Sequence, residues 1–222
     1  MPKHLSHDLN KLKKRILAYS AAIDANFQLA VVALERVDVA AAGTVIARDQ
    51  ELDRTEVEIE DDCLKILALH QPVATDLRYV VTVLKMNNDL ERIGDFAVNV
   101  AKRAKRLARH DPIVMPPKLL QMANQAREMV SRALGALVER DSDEARQICR
   151  DDDQVDNLQR DLFGEIRDML TNRPNEVNQW MQLLSIVRYL ERVGDLATNI
   201  AEDVIYLVEG IVVRHRGPDA DD

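Results

Sequence analysis

The sequence predicts an all-α protein made of two tandem, pseudo-symmetric three-helix bundles. Its main indication is an internal repeat: Leu90–Ala101 recurs as Leu190–Ala201, 100 positions later, with eight of the twelve positions unchanged. With only 7 Gly and 7 Pro among 222 residues, the chain suits long helices better than many short strands. We therefore expect a first bundle over residues 1–110 and a second over residues 111–222, the latter ending in a short polar tail.

In the first half, apolar residues recur at steps of three and four, as on one face of a helix. They predict three helices, over about residues 8–37, 41–69 and 73–109, after a frayed start at residues 1–7. Gly43 and the four residues before it are interpreted as a short connection or a helix join. Pro72 marks the second connection, because proline is tolerated at a helix start and breaks an interior.

The second half repeats this plan after a linker over residues 110–117. Its predicted helices span about residues 117–140, 142–170 and 176–209. Asp141 or Ser142 can cap the fifth helix, and the turn at residues 172–174 corresponds to the one at Pro72. Gly210 is placed to end the sixth helix, and the tail, Arg214 to Asp222, is polar.

Composition excludes several classes of protein. The net charge of -8 argues against a nucleic-acid binder, which normally carries a basic face. Cys63 and Cys149 lie far apart without a CxxC motif, which is typical of structural thiols in a reducing compartment. The sequence shows no signal peptide and no uninterrupted apolar run of about 18 residues, so we expect a cytoplasmic protein without membrane insertion. The basic run at residues 102–109 is either a solvated helix end or a docking patch.

Acidic pairs spaced i and i+4 occur on the last two predicted helices of each half, where such residues share one helix face. Asp53 and Glu91 are equidistant from Pro72, as are Asp49 and Asp95, so an antiparallel hairpin places them side by side. The same holds in the second half about the Arg173–Pro174 turn. We therefore predict two clusters of four carboxylates: Asp49, Asp53, Glu91 and Asp95, and Asp152, Asp156, Glu191 and Asp195.

Carboxylates this close raise one another's pKa unless something compensates their charge. One possibility is arginine, from Arg92 and Arg192 inside the motifs or Arg48 and Arg150 nearby. The other is a bound cation. Oxygen ligands without His or Cys favour Mg, Mn, Ca or Fe(III) over Zn. The pattern thus predicts two metal sites, with arginine pairing as the alternative.

Gly94 and Gly194 occupy the same place in both copies of the motif. Because a glycine inside a helix costs about 1 kcal/mol relative to alanine, its repetition needs a reason. We expect close approach of a neighbouring helix or of a bound group; chance retention after duplication is the alternative.

No catalytic arrangement is recognisable in the sequence. The five His residues lie at predicted helix ends or turns, and no Glu-x-x-His, Walker loop, GxGxxG or nucleophile with its base is found. These observations disfavour a di-iron oxidase, a nucleotide-binding enzyme and a hydrolase of the triad type.

Leu-Glu-Arg-Ile/Val-Gly-Asp in two tandem copies resembles the PhoU family of bacterial phosphate-uptake regulators. Residues 71–78, Gln-Pro-Val-Ala-Thr-Asp-Leu-Arg, agree with it, as do Asp49-x-x-Leu52-Asp53 and Asp152-x-x-Val155-Asp156. The resemblance covers about residues 8–215. It implies two three-helix bundles, and multinuclear metal clusters held by the eight acidic residues named above.

The resemblance also implies a function. Proteins of this family are negative regulators that connect the phosphate-specific ABC transporter, through its ATPase subunit, to a sensor histidine kinase. They are commonly homodimers, and no enzymatic activity is attached to them. An adaptor in phosphate signalling is therefore the leading hypothesis. A metal-dependent enzyme or metal-storage protein, and a purely structural helical repeat whose acids pair with arginine, are the alternatives.

Overall fold

The computed structural model describes residues 3–213, which form six long α-helices and no strand. The all-α prediction is thereby confirmed. A single 3₁₀ turn, Pro174–Glu176, precedes the last helix. The helices are α1 (Lys3–Arg36), α2 (Val39–His70), α3 (Ala74–Leu107), α4 (Pro117–Glu139), α5 (Ser142–Asn172) and α6 (Val177–Glu209).

Aspartate caps the second helix of each half at equivalent positions. The Asp38 carboxylate accepts hydrogen bonds from the backbone N–H groups of Ala40 and Ala41 at 2.8 and 3.0 Å. Asp141, 103 positions later, accepts from Asp143 and Glu144 at 3.0 Å each, so the predicted cap at Asp141 is confirmed. These carboxylates satisfy N–H groups that have no partner inside the helix.

The predicted connection at Gly43 is wrong, because the Asp38 cap starts α2 at Val39 and Gly43 lies within that helix. The predicted frayed start is also wrong for the residues that the structure describes. Helix α1 begins at Lys3, and the buried side chain of Leu5 anchors its first turn to the core. Met1, Pro2 and the polar tail from Arg214 to Asp222 lie outside the described residues.

Helix ends elsewhere follow the sequence closely. Gly210 has φ +79° and ends α6 as predicted, because glycine adopts the left-handed conformation without a Cβ penalty. On α2, Ile59 is buried and Val57 is exposed. Leu69 is 76% exposed at the end of that helix.

The two halves share one continuous core. Helix α1 packs on α2 and α3, helix α4 packs on α5 and α6, and the halves meet through α3 with α6 and α1 with α4. Fully buried side chains line these contacts, including Ile23, Phe27, Ile93, Leu183 and Leu190. Burial of this apolar surface stabilises the six-helix arrangement.

Helices α3 and α6 cross the molecular centre antiparallel to each other. Lys85 lies 3.4 Å from Asp203, Phe96 stacks on Tyr189 with ring centroids 5.8 Å apart, and Arg103 donates to Gln182 at 2.9 Å. In these contacts, higher residue numbers on α3 pair with lower residue numbers on α6. This register places the two copies of the repeated motif beside each other at the centre of the molecule.

Contrary to the sequence-based expectation, one helix of the described chain is long and apolar enough to cross a membrane. It spans His4–Arg36, and its most apolar window has a mean hydropathy of 1.4. Half of that window is buried inside the protein. The buried residues are core residues of the first bundle, and a core helix satisfies the same criteria of length and composition.

Candidate metal sites

The first acidic site lies on the seam between α2 and α3. Asp49 and Glu91 are half-buried, whereas Asp53 and Asp95 are exposed. Burial raises the pKa of the Asp49 carboxyl, the negative charges of Asp53 and Asp95 raise it further, and Lys102 opposes them. The structure thus brings the acids of the two helices within electrostatic reach of one another, as the hairpin register requires.

The pKa of Glu91, on α3, also indicates that the acids of the two helices lie close together. Burial raises the pKa of its carboxyl, and the charges of Asp95, Glu56 and Asp53 add to that effect. Glu56 is an additional acid that the search for i,i+4 pairs missed. It is half-buried, and its carboxylate accepts a hydrogen bond from the side-chain amide of Asn87 at 3.0 Å.

Tyr19 of α1 is the second residue that the sequence reasoning missed at this site. It belongs to the apolar face of α1 and is just 2% exposed. Burial raises the pKa of its phenol, and so do the charges of Glu56, Glu91, Asp53 and Asp95, in that order. Tyr19 is therefore within electrostatic reach of the first acidic site.

The second acidic site lies on the seam between α5 and α6. Burial, followed by the charges of Asp195, Asp156, Asp153 and Glu191, raises the pKa of the Asp152 carboxyl to about 7. Burial also raises the pKa of Asp195, although the Arg192 and Arg92 guanidinium groups oppose the shift. All four predicted members of this site therefore interact electrostatically.

A glutamine replaces an acid in this second site. Gln159 is 103 positions after Glu56, and its side chain donates a hydrogen bond that lowers the pKa of Glu191. The larger effects of burial and of Asp195 still raise that pKa above its ordinary value. The two sites thus share four acidic positions, but the first has Glu56 where the second has Gln159.

Both repeated glycines permit close approach of a neighbouring helix. A Cβ on Gly194 would lie 3.3 Å from a carboxylate oxygen of Asp152 and 3.4 Å from a methyl of Val155. A Cβ on Gly94 would lie 3.1 Å from the terminal methyl of Ile23. This confirms the predicted close approach. At Gly194 the missing side chain leaves room for the Asp152 carboxylate itself.

Arginine compensates these acids only in part. Arg192 lies 3.7 Å from Glu191, but Arg92 lies 3.9 Å from Asp89, which is not one of the predicted ligands. Arg150 donates to Gln147 at 2.8 Å. In both groups some carboxyls therefore keep a raised pKa, most clearly Asp152; the others are Asp49, Glu91, Glu191 and Asp195.

The donor chemistry of both sites fits an oxygen-preferring cation. Among residues 3–213, no three His, Cys, Asp or Glu side chains converge closely enough to hold an ion as they stand. The assignment of the eight acids as metal ligands stays a prediction.

Taken together, the fold and the sites define a helical tandem-repeat protein with one acidic seam in each repeat. The chain belongs to the PhoU family: the PhoU domain matches residues 16–104 and again residues 119–204. One match falls in each half, which confirms the family resemblance of the repeated motif.

Similar proteins agree over most of the chain. It is 37% identical to a phosphate-specific transport system accessory protein PhoU homolog of Clostridium acetobutylicum, over 94% of this chain and 95% of that protein. It is 38% identical to a homolog of the same name in Deinococcus radiodurans, over 79% and 82%.

Solved structures show the same fold. The crystal structure of PhoU from Pseudomonas aeruginosa superposes with a TM-score of 0.90 at 33% identity, covering 93% of this chain and 99% of that one. The phosphate transport system regulatory protein PhoU from Streptococcus pneumoniae gives 0.86 at 28% identity, covering 94% and 99%.

Proposed function

We propose that this protein is an accessory protein of phosphate transport that negatively regulates phosphate uptake and phosphate-starvation signalling. The observation that carries the proposal is its 37% identity to a phosphate-specific transport system accessory protein over nearly the full length of both chains. The protein acts as a non-enzymatic adaptor between the ATPase subunit of the phosphate ABC transporter and a sensor histidine kinase. It works in the cytoplasm, at the inner face of the membrane through these partners, as a homodimer.

An exposed apolar surface at one end of the first bundle supports a docking role. Leu69 is 76% exposed, Val73 74% and Leu77 41%, around the turn between α2 and α3. Large exposed apolar patches commonly mark protein contacts. This turn is therefore where we expect mutations to weaken partner binding first.

A pull-down with detergent-solubilised transporter and kinase tests the adaptor function. We expect the full-length chain to retain both partners, and Leu69→Ser with Val73→Ser to weaken at least one of them. Val57→Ser is the matched control, because Val57 is 59% exposed on α2 away from the turn. Failure of the folded wild-type protein to retain either partner would disprove the adaptor role.

We further propose that each acidic seam binds Mg, Mn or Fe ions, with Zn less favoured. Asp49, Asp53, Glu91 and Asp95 would hold the ions of the first site. Asp152, Asp156, Glu191 and Asp195 would hold those of the second. Bound cations would offset the mutual repulsion of the carboxylates in each seam, and would link its two helices.

Elemental analysis of protein purified without chelator, followed by calorimetric titration of the metal-free protein, tests this part. The pair Asp53→Asn and Asp95→Asn should abolish metal binding at the first site and leave the second. The pair Asp156→Asn and Asp195→Asn should do the reverse. If wild-type protein takes up none of the three metals, the acids are structural and the metal proposal fails while the adaptor role stands.

A further inference from the structure

Four cations share one face at the end of α3. Lys102, Lys105, Arg106 and Arg109 are spaced so that they lie on the same side of the helix, over about 10 Å of its length. Lys105 is half-buried and the other three are exposed. Lys102 opposes the rise in the pKa of Asp49 from a distance, but none of the four forms an ion pair with an acid within residues 3–213.

The second repeat shows that the fold does not require cations at these positions. One hundred positions later, α6 carries Glu202, Ile205, Tyr206 and Glu209 in their place. Helix α6 has 33 residues against 34 in α3, and it ends without a basic residue in its last turn. Compensation of the helix dipole therefore does not account for the four cations. They are a feature of the first repeat alone.

A fifth cation, Arg36, lies at the same end of the first bundle. A Cβ on Gly94 of α3 would lie 3.1 Å from the terminal methyl of Ile23, which fixes the relative level of the parallel helices α1 and α3. Arg36, thirteen residues after Ile23, is therefore level with about position 107 of α3. Arg36 is exposed, and its guanidinium group is not among the ion pairs of the described chain.

The acids next to these five cations in the sequence are fewer, and two of them are engaged. Glu35 accepts a hydrogen bond from Asn124 of α4 at 3.0 Å, and Asp38 accepts the two N–H groups at the start of α2. Asp111, in the linker, is exposed. This end of the first bundle is therefore basic, although the whole chain has a net charge of -8.

Exposed apolar side chains accompany the cations. Val114, in the linker that follows α3, is 82% exposed, while its two neighbours in the chain pack on the core. Val39, the first residue of α2, is 45% exposed. The Asn87 amide donates to the backbone carbonyl of Glu56 at 3.0 Å, and this antiparallel register places Val39 level with about position 104 of α3. Basic residues beside exposed apolar ones are typical of surfaces that bind lipid headgroups.

We propose that this basic end of the first bundle binds directly to the anionic lipid headgroups of a membrane. Its cations are Arg36, Lys102, Lys105, Arg106 and Arg109. The inference goes beyond the proposed function, in which membrane contact is made through partner proteins. Charge complementarity and the exposed valines favour this occupant. The cations come from the ends of two helices, so they face many separate phosphate groups at once, and the valines enter the headgroup region beside them.

The acidic seam does not oppose this orientation. Asp95, the member of the first acidic site closest to the cations along α3, precedes Arg109 by 14 residues, or about 21 Å of helix. The Debye length at physiological ionic strength is about 8 Å, so salt screens the repulsion between Asp95 and the headgroups. The exposed turn at Leu69 and Val73 lies at the opposite end of the bundle and stays accessible to proteins.

Co-sedimentation of the full-length chain with lipid vesicles tests this assignment. We expect binding to vesicles of equal parts phosphatidylglycerol and phosphatidylcholine, and none to vesicles of phosphatidylcholine alone. Sodium chloride should release the bound protein, because salt screens charges at an exposed surface. Sodium phosphate at the same ionic strength should release it equally. Selective release by phosphate would identify a site for the free anion and overturn the membrane assignment.

The combined change Lys105→Gln, Arg106→Gln and Arg109→Gln should weaken binding to the anionic vesicles about a hundredfold, because each basic residue near such a surface contributes about a factor of five. Circular dichroism checks that this triple variant folds. Should it not fold, Arg109→Gln alone decides the question. This residue lies beyond the last residue of α3, and its change should weaken binding about fivefold.

The matched control removes three exposed cations elsewhere on the first bundle: Lys13→Gln, Lys14→Gln and Arg54→Gln. It loses the same net charge and should retain most of the vesicle binding. Equal weakening in this control and in the triple variant would overturn the assignment to the basic end.

Three further outcomes would overturn the proposal: no binding of the wild-type chain to anionic vesicles, equal binding to neutral vesicles, and full binding by the triple variant. An acidic protein segment is the competing occupant. It would be identified if the wild-type chain did not bind vesicles and the triple variant lost the transporter or the kinase in the pull-down. That pull-down uses detergent-solubilised partners without vesicles, so failure of the adaptor role and failure of membrane binding are distinguishable.

Discussion

The two acidic seams have the same carboxylates but different surroundings. In the first, Tyr19 and Glu56 interact electrostatically with the acids, and Asn87 donates a hydrogen bond to Glu56. At the corresponding positions of the second repeat the sequence has Met122, Gln159 and Val187. Asp152 of the second site has a pKa of about 7, and it lies against Gly194. After the duplication, the four acidic positions therefore stayed the same in both repeats, whereas the residues near them diverged. A shared motif does not make two equal sites.

The largest difference that we expect between the repeats concerns their first helices. Phe27 of α1 is fully buried, and the corresponding residue of α4 is the smaller Val130. Phe27→Ala should lower the free energy of unfolding by about 3–5 kcal/mol, and Val130→Ala by about 2 kcal/mol, because fewer buried carbons are removed. Urea denaturation followed by circular dichroism measures both. Equal losses of unfolding free energy in the two variants would contradict this expected difference between the first helices of the repeats.

Metal binding should stabilise the folded chain by an amount that depends on the intact sites. With free metal at about 100 times its dissociation constant, the free energy of unfolding should rise by about 2.7 kcal/mol for each independent site. The pair Asp53→Asn and Asp95→Asn should remove one such increment, and the pair Asp156→Asn and Asp195→Asn the other. Thermal denaturation with and without metal gives the comparison. An unchanged increment in either pair would show that those acids are not ligands.

The stability of the metal-free protein should depend on pH mainly through the second site. Asp152 has a folded pKa of about 7 against an ordinary value of 3.8. Between these values the folded state binds more protons than the unfolded state, so stability falls as pH rises from about 4 to about 7 and then levels off. Asp152→Asn should reduce this slope in chelator-treated protein, as measured by urea denaturation across that range. Asp143→Asn, an exposed change on the same helix, should preserve it.

The smallest expected effects concern the paired caps, where the repeats should behave alike. Asp38→Ala and Asp141→Ala should each cost about 1 kcal/mol, because each carboxylate accepts hydrogen bonds from two backbone N–H groups. Serine at either position should retain most of the stability. Measured losses that differ strongly between the two caps would indicate that one helix start is held by other contacts.

Much of this architecture could be predicted from the sequence, because helical periodicity, proline and duplication act locally. The start of α2 was misplaced because Gly43 was interpreted as a break, although a capped helix with a packed face tolerates one glycine. The facing of acids across each hairpin followed from counting residues from a turn. Tyr19 could not be assigned in the same way, because the rotation of α1 about its axis depends on packing against two other helices.

The way in which the two halves pack against each other could not be predicted from the sequence either. Nothing in the periodicity of α3 states that it will pack antiparallel on α6, because both helices carry similar apolar stripes. The contacts Lys85 with Asp203 and Phe96 with Tyr189 fix this register only once the chain is folded. The influence of Arg92 on the pKa of Asp195, across the boundary between the halves, follows from it.

The antiparallel crossing of α3 and α6 has an evolutionary consequence. Two copies of one unit that meet through the same helix in opposite directions have the geometry of a two-fold homodimer. Before the duplication, a single unit of about one hundred residues would have buried its last helix against that of a second subunit, with both sites encoded by one gene segment. Fusion into one chain gave each site its own codons. Only then could the first repeat carry a tyrosine where the second carries a methionine.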